Sequence, residues 1–339
     1  MSETVTLSIV EAEAFIVRAL IANRVPDVAA SSVARGLVAA EAEGQTGHGF
    51  SRVADYIGQV RTGKIIADAV PSTRKTAPST LRTDAGHGFA YPALDQAIEC
   101  GCALAAEMGV ASVAVAHSHH CGALSLPVRQ IAEKGMVGLM MANAPAAIAP
   151  WGGHVPLYGT NPIAFAAPRP VGDPLIVDLS LSRVARGKVM HAHKTGQTIP
   201  EGWALDPDGN PTTDPEQGLA GTMVPIGEAK GTALALIVEV FASLMTGSSM
   251  SKDVSSFFTA DGPPPDVGQF LLIFRPPEGA DFGARLDALL SLIEQQDGAR
   301  VPGARRAALA RQAAANGVAV PKAYIDGIEQ LAVEGVVSQ

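Results

Sequence analysis

The middle third of the chain contains four short apolar runs, and these runs constrain the fold more than any other feature of the sequence. Each is rich in Val, Ile and Ala and is bounded by Gly, Pro or Asn; they read "VASVAVAH", "GMVGLMMAN", "GTNPIAFAAP" and "PLIVDLS". Runs of this length and composition are typical of buried strands. The sequence therefore predicts a sheet in the middle of the chain.

The segments before these runs show helical periodicity. Apolar residues recur every three or four positions in "SIVEAEAFIVRALIANRV", in "PDVAASSVARGLVAAEAEG", which Gly44 closes, and in "YPALDQAIECGCALAAEMG", which ends at Gly109. The run "VADYIGQVRTGK" has the same spacing. These patterns predict helices around the sheet.

The remainder of the chain continues this mixture. "SRVARGKVMHAHKTG" predicts a helix, "IPEGWALDPDGNPTTDPEQG" a long loop with short turns, "KGTALALIVEVFASLMTG" a buried helix and "FLLIFRP" another strand. The C-terminal tail predicts two or three helices with "RVPGARR" between them. The fold class that follows is α/β, of the α+β kind.

Composition and charge exclude several classes of partner. Of the 339 residues 47% are hydrophobic, which is enough for a large core, and the net charge is −8 without a Lys/Arg cluster. We therefore expect a small-molecule ligand and neither nucleic acid nor membrane. The N-terminus is acidic, no apolar run approaches the ~20 residues that span a bilayer, and three cysteines are too few for a disulfide framework. These features predict a cytoplasmic protein.

The tetrapeptide "GHGF" occurs twice, as "GHGFSR" and as "GHGFAY". Flanking glycines let a ligand approach the imidazole closely, although a pair of tight turns would give the same pattern. If Gly47 begins the following helix, His48 and Arg52 are four residues apart and share a face. The second copy, with His87, has a tyrosine where the first has Arg52.

A histidine-rich segment, "HSHHCGAL", follows the first apolar run directly. In strand geometry His117 and His119 would share one side and His120 would take the other, so the rings would not converge on a metal ion. The segment contains no H-E-x-x-H and no paired carboxylate. A metal site, a structural turn and a loop that binds substrate or cofactor remain open, and we predict no metal.

No G-x-G-x-x-G occurs, so a standard Rossmann phosphate loop is absent from the sequence. Other polar candidates lie in "GTNPIAFAAPRP", in "VDLSLSRVARGK" and in "GEAKG". Lysines beside glycine at helix openings suit anionic ligands, because the free amides of the first turn add to the charge of the ammonium. Each such lysine could equally be a solvated surface residue.

Six motifs in one order make the chain similar to the malate/L-lactate dehydrogenase family: "GHGFSR", "SHHCGA", "GTNPIAFA", "VDLSLSRVARGK", "AKG" and "RVPGARR". The resemblance implies a nicotinamide cofactor on a non-Rossmann fold, with a largely antiparallel sheet and flanking helical segments, and a homodimer. On this basis we predict a mainly helical substrate and dimerisation region, residues 1–115 with 284–339, and a sheet-containing NAD(P)-binding region, residues 116–283.

The resemblance also implies roles for individual residues. His48 corresponds to the proton donor, Lys188 to its relay partner and Arg52 to the group that holds the substrate carboxylate, while His87 matches no catalytic motif. Family members often carry a serine where Gly47 stands. The remaining substrate contacts implied are Thr160, Arg186 and Gly187, and the cofactor contacts are His120, Cys121, Gly122, Ala123, Leu124, Asp178, Leu179, Ser180, Lys230, Arg300, Arg305 and Arg306.

The function implied is that of an NAD(P)H-dependent oxidoreductase that delivers hydride to the carbon next to a carboxylate. The motifs most resemble those of the Δ1-pyrroline-2-carboxylate and Δ1-piperideine-2-carboxylate reductases, with NADP(H) preferred, NAD(H) possible and no metal. The alternative within the family is a malate- or L-lactate-type 2-hydroxy acid dehydrogenase. Outside it, a metal-dependent hydrolase built on "HSHHC" and a non-catalytic binding protein remain alternatives.

Overall fold

The computed structural model describes residues 3–279 and 281–337. Within this part of the chain the central element is a seven-stranded mixed sheet with strand order β2-β3-β4-β11-β5-β6-β7. Only β3 and β4 pair in parallel, and the other neighbours are antiparallel. The seven strands are β2 (Ser72–Ala77), β3 (Thr80–Asp84), β4 (Val110–Ser118), β5 (Val137–Ala142), β6 (Ile163–Ala167), β7 (Leu175–Leu179) and β11 (Val267–Phe274). The predicted fold class, with a largely antiparallel sheet, is confirmed.

Two small sheets complete the strands. A terminal pair joins β1 (Thr4–Leu7) to β12 (Val318–Pro321), and a three-stranded sheet consists of β10 (Thr222–Met223), β8 (Ala204–Leu205) and β9 (Pro211–Thr212). The described helices are α1 (Ile9–Ala22), α2 (Asp27–Ala42), α3 (Val53–Arg61), α4 (Ala90–Met108), α5 (Ser125–Glu133), α6 (Arg186–Lys194), α7 (Pro215–Ala220), α8 (Ala229–Glu239), α9 (Phe282–Glu294), α10 (Ala304–Asn316) and α11 (Lys322–Val337).

Local signals set several helix ends. Ser8 and Glu11 form a reciprocal capping box at the start of α1. The chain turns after α2 at Gly44, with φ +73°, and after α4 at Gly109, with φ +83°. These are left-handed conformations that favour glycine, and both glycines are the stops that the sequence predicts.

In the described part of the chain, two large apolar cores cover the faces of the sheet and a third lies among the helices. Helices α4 and α5 pack on one face of β4, β5 and β11, and α6 and α8 belong to a core on the other face with Met141 and Phe270. A third core joins α1, α2 and α3 to the terminal strand pair and α11. The GHGF segment follows α2 and precedes α3, so it lies at the edge of this helical core.

Some sequence-based interpretations were wrong in detail. The long loop after residue 198 contains β8, β9 and α7, because short strands and a single helical turn leave little periodicity. The helix predicted as buried is α8, which ends in a π-helical turn at Val240–Leu244 and exposes Leu234, Ile237 and Leu244. The hairpin of β2 and β3 and the strands β1 and β12 were missed.

The division of the chain into two regions near residue 115 stays a prediction. β4 spans that position, and β2 and β3, from the first region, join the same sheet as the strands of the second.

Candidate active site

The GHGF segment adopts two consecutive 3-10 turns, Thr46–His48 and Phe50–Arg52, and α3 begins only at Val53. His48 and Arg52 therefore do not share one regular helix, contrary to the expectation. The turn is fastened by Glu41, whose buried carboxylate accepts a hydrogen bond of 3.0 Å from the amide of Phe50. A side chain at Gly49 would collide with this carboxylate, so the close approach of Glu41 requires glycine there.

Arg52 is almost fully buried and its guanidinium is held on three sides. Nε donates to the carbonyl of Gly47 at 2.8 Å, Nη1 lies 3.3 Å from a carboxylate oxygen of Asp55, and the ring centroid of Phe258 lies 4.2 Å from Cζ. Nη2 has no hydrogen-bond partner among the described residues, and Nη1 has a second N–H besides the one directed at Asp55, so the edge between them still offers donors. Such an edge can bind a carboxylate through two charge-assisted hydrogen bonds.

The imidazole of His48 is stacked on that of His120, with ring centroids 5.2 Å apart and planes 22° apart. Nδ1 of His48 is buried, and the structure shows no hydrogen-bond partner for it among the described residues. Burial, followed by the charges of Arg52 and Arg306, lowers the pKa of His48 to about 4. His48 is therefore neutral at pH 7 and can accept a proton from a bound hydroxyl group.

The three histidines of the HSHHC segment have different environments. β4 ends at Ser118, so the strand alternation expected for His119 and His120 was wrong, and both rings contact Phe257. His120 Nδ1 lies 2.7 Å from the hydroxyl of Tyr56. Burial lowers the pKa of both residues, to about 3 for His119 and well below the usual value for His120. Two neutral rings thus line the site beside His48.

The second GHGF copy forms a separate cluster. His87 has φ +58°, its ring centroid lies 5.0 Å from that of His117, and His117 Nδ1 lies 3.0 Å from Asp84. Over the described parts of the chain, no three His, Cys, Asp or Glu side chains group as a metal site would require. The geometry therefore separates His87 from the site that contains His48 and Arg52.

The loop between β4 and α5 can hold an anionic cofactor group. Gly122 has φ +68°, and the amides of Gly122, Ala123 and Leu124 have no acceptor within the described residues. Free amides that precede a helix N-terminus favour a phosphate. This loop thus fits the pyrophosphate of a nicotinamide dinucleotide.

A buried carboxylate stands next to this loop. Asp178 accepts a hydrogen bond of 3.0 Å from the amide of Ser125, the first residue of α5, and lies 3.3 Å from Arg306. Burial raises the pKa of Asp178, whereas the charge of Arg306 acts in the opposite direction. Arg306, in the first turn of α10, thus links this helix to Asp178 beside the loop, and its charge also lowers the pKa of His48.

The other predicted site residues make separate contacts of their own. Arg186 donates to the carbonyls of Ala146 and Leu219, and the Lys188 ammonium lies 5.8 Å from the ring of Trp203. No contact joining Lys188 to His48 is found in the described structure. The carbonyl of Thr160 accepts the Leu181 amide, Gly187 lies in the first turn of α6, and Ser180 bonds Ser182. The loop from His120 to Leu124, which includes Cys121, is buried, and the exposed positions are Leu179, Lys230, Arg300 and Arg305.

Sequence reasoning missed several residues around the site. Tyr56 and Gln59 are three apart on α3 and both face the histidines, since Gln59 Oε1 lies 2.6 Å from His119 Nε2. The helical periodicity of this segment could have placed these two side chains on one face. Phe257 and Phe258 lie about 200 positions later in the chain, and no local pattern connects them to Arg52.

The largely antiparallel sheet, the His48–Arg52 pair and the loop with free amides suit an oxidoreductase that uses a nicotinamide cofactor. The chain belongs to the malate/L-lactate dehydrogenase family, whose family model matches residues 7–329. The resemblance predicted from the motifs is thereby confirmed.

Individual relatives span nearly the whole chain. The (2R)-3-sulfolactate dehydrogenase (NADP(+)) of Chromohalobacter salexigens is 47% identical over 331 residues, covering 97% of this chain and 99% of that protein. The Δ1-pyrroline-2-carboxylate reductase of Ancylobacter novellus is 36% identical over 343 residues, covering 99% of this chain and 100% of that protein. Among solved structures, the Δ1-piperideine-2-carboxylate reductase of Pseudomonas syringae has a TM-score of 0.91 and 33% identity, covering 97% of this chain and all of that one.

Proposed function

We propose that the protein is an NADP-dependent dehydrogenase of a small 2-hydroxy acid that carries a second anionic group, with (2R)-3-sulfolactate as the leading candidate. The observation that carries the proposal is the neutral, partly buried imidazole of His48 beside a guanidinium, that of Arg52, which still has unpaired donors on Nη2. A neutral imidazole is ready to remove the proton of a hydroxyl group, and the guanidinium supplies a site for the neighbouring carboxylate. The 47% identity to an NADP-dependent sulfolactate dehydrogenase supports this substrate class.

In this mechanism Arg52 binds the substrate carboxylate through its Nη1–Nη2 edge and so fixes the adjacent hydroxyl group relative to His48. A nicotinamide cofactor held by the amides of Gly122, Ala123 and Leu124 would supply the acceptor for the hydride of the hydroxyl-bearing carbon. His48 takes the hydroxyl proton as negative charge builds on oxygen. In the reverse direction, a carboxylate on Arg52 offsets the charge that lowers the pKa of His48, so a larger fraction of the imidazole is protonated and can donate.

The second candidate is a reductase of cyclic 2-imino acids, the function that the motifs favoured. Gly47 supports it, because it provides no hydroxyl for a proton relay, and a basic imine nitrogen can bind already protonated. The relative from Ancylobacter novellus and the structure from Pseudomonas syringae also support it. Both candidates use the same carboxylate site on Arg52.

A substrate panel distinguishes the two candidates. Oxidation of (2R)-3-sulfolactate, malate and L-lactate with NADP⁺ is compared with reduction of Δ1-pyrroline-2-carboxylate and Δ1-piperideine-2-carboxylate with NADPH. We expect kcat/KM for sulfolactate to exceed that for lactate by about 100-fold, which corresponds to about 2.7 kcal/mol of transition-state binding. Turnover of the ring imines without turnover of any hydroxy acid would replace the first candidate by the second.

We also propose a cytoplasmic homodimer. Leu234, Ile237, Val240 and Leu244 are spaced along α8 and its π turn, and all are more than a third exposed. A second copy of this chain would cover this apolar row, which is unusual on a monomer surface.

The cysteines of the described chain are unpaired thiols, as expected in a reducing compartment. In the described residues we find no helix with the length and apolarity needed to span a bilayer.

A further inference from the structure

The segment formed by residues 255–261, here named the aromatic segment, is bound along its backbone by side chains from the end of α3 and the turn after it. Three residues, Gln59, Thr62 and Lys64, donate hydrogen bonds to five of its carbonyl groups. The acceptors are the carbonyls of Phe257 for Gln59 at 2.9 Å, Ala260 for Thr62 at 2.8 Å, and Ser256, Thr259 and Asp261 for Lys64 at 2.7, 3.1 and 2.9 Å.

Lys64 is the central member of this group and is only 1% exposed. Its three hydrogen bonds all go to backbone carbonyls, and burial lowers its pKa while the charge of Asp261 opposes the shift. A buried ammonium is costly unless its donors are satisfied, and an apolar side chain of similar length would fill the same space. The three carbonyls that Lys64 binds therefore explain why a charged group stands here.

The aromatic segment brings two phenylalanines to the site. The ring of Phe257 lies 5.8 Å from that of His119 and 5.0 Å from that of His120. Phe258 covers one face of the Arg52 guanidinium and is still 48% exposed. The ring thus contacts the guanidinium while about half of the residue remains open to solvent.

We propose that Phe258 is a specificity-determining residue of the substrate site and that Lys64 is a positioning residue that acts through it. Phe258 fixes the plane of the guanidinium and blocks one of its faces, so that a small carboxylate binds only in that plane, on the Nη1–Nη2 edge. Lys64 keeps the ring in place by holding the backbone on both sides of it. The proposal rests on the proposed role of Arg52 in binding the substrate carboxylate.

The kinetic test uses Phe258→Leu, Lys64→Met and the double variant. Each single change should raise KM for the carboxylate substrate roughly three- to tenfold with kcat within about twofold, since it weakens cation–π support of a binding group. Because both changes act through one ring, the double variant should have a KM close to that of the worse single variant. Additive effects, or a loss of kcat at unchanged KM, would overturn the proposal.

Lys75→Met is the matched control, because Lys75 is an exposed lysine on β2. Its KM and kcat should equal those of the unmodified protein. Binding of oxamate, a small 2-oxo carboxylate analogue, measured by calorimetry with NADP⁺ present, tests the same contacts without turnover. Weaker oxamate binding in Phe258→Leu supports the proposal even if the substrate assignment fails, and equal binding overturns it.

Hydrogen exchange tests the positioning role independently of any substrate. In Lys64→Met, amide exchange should accelerate at Phe258, whose N–H donates to Ser256 Oγ at 3.1 Å within the segment, and remain unchanged in β2, whereas Lys75→Met should leave the exchange of Phe258 unchanged. Thr62→Val removes a single bond to the segment and serves if Lys64→Met does not fold; it should accelerate exchange at the same residue to a smaller extent. Unchanged exchange in these variants would show that Lys64 and Thr62 do not hold the segment.

Discussion

His119 Nε2 lies 2.6 Å from the side-chain oxygen of Gln59, and the amide nitrogen of Gln59 donates to the carbonyl of Phe257. That second bond fixes the orientation of the amide, so its oxygen faces the imidazole and His119 must donate from Nε2. Nδ1 of His119 is buried without a partner among the described residues. A second proton there would have no acceptor, which explains why the ring is kept neutral.

This arrangement predicts a protein whose stability falls in mild acid. His119 has a pKa of about 3 in the folded protein, and unfolded histidine has one near 6.5, so the unfolded state binds more protons below pH 6.5. The free energy of unfolding should decrease by roughly 2 kcal/mol at pH 5 for each fully buried histidine of this kind. Urea unfolding between pH 7.5 and 5 measures the effect. His119→Asn should flatten the dependence, and an equal slope in both proteins would contradict the assignment.

His48→Ala should lower kcat by about 100-fold or more, the usual effect of losing a general acid or base. The matched control is His87→Asn in the second GHGF copy, because asparagine tolerates the positive φ of that position. Steady-state kinetics of both variants, with circular dichroism to check folding, provide the comparison. Inactivation by the His87 change and not by the His48 change would show that the chemistry belongs to the second GHGF copy.

The rate of hydroxy acid oxidation should depend on pH through His48. Because its pKa is about 4, kcat/KM should stay level from pH 8 to 6 and decline only as the pH approaches that value. Arg306→Gln removes one of the positive charges that lower this pKa, so the decline should begin at higher pH. Short assays after a pH jump separate titration from acid unfolding. A decline at the same pH in both proteins would exclude this influence of Arg306.

NADPH should be preferred over NADH by about tenfold or more, and the preference should weaken with salt, since an arginine–phosphate contact is charge-assisted. Arg305 is exposed in the first turn of α10, next in the chain to Arg306, which contacts Asp178. Arg305→Ala should reduce the ratio of kcat/KM for the two cofactors, whereas Arg285→Ala on α9 should not. Equal use of both cofactors by the unmodified protein at low ionic strength would contradict the NADP assignment.

Ile237→Glu should convert the proposed homodimer into a monomer, because it places a charge in the centre of the apolar row on α8. Ile237 is 48% exposed in the single chain, so the change should not disturb the core. Light scattering coupled to size exclusion measures the mass. Val10→Glu, at an exposed apolar position on α1, is the control and should leave the mass unchanged. A monomeric unmodified protein would remove the basis of the proposal.

The sequence by itself determined the elements whose pattern is local. The strands β4, β5, β6, β7 and β11 were predicted from apolar runs, and α1, α2 and α4 from three- and four-residue spacing with Gly44 and Gly109 as stops. The pair His48 and Arg52 was found in the same way, because two residues in one short motif stay close in any fold. The order of six motifs also gave the family.

Only the tertiary structure decided which distant segments meet. β1 pairs with β12 from the other end of the chain, and β2 has mostly exposed positions, so neither carries a strong local signal. The neutral state of His48 depends on burial and on Arg306, and the plane of Arg52 depends on Phe258, which Lys64 holds in place. Periodicity encodes which side of an element is apolar, whereas desolvation and long-range contacts exist only after the elements have packed.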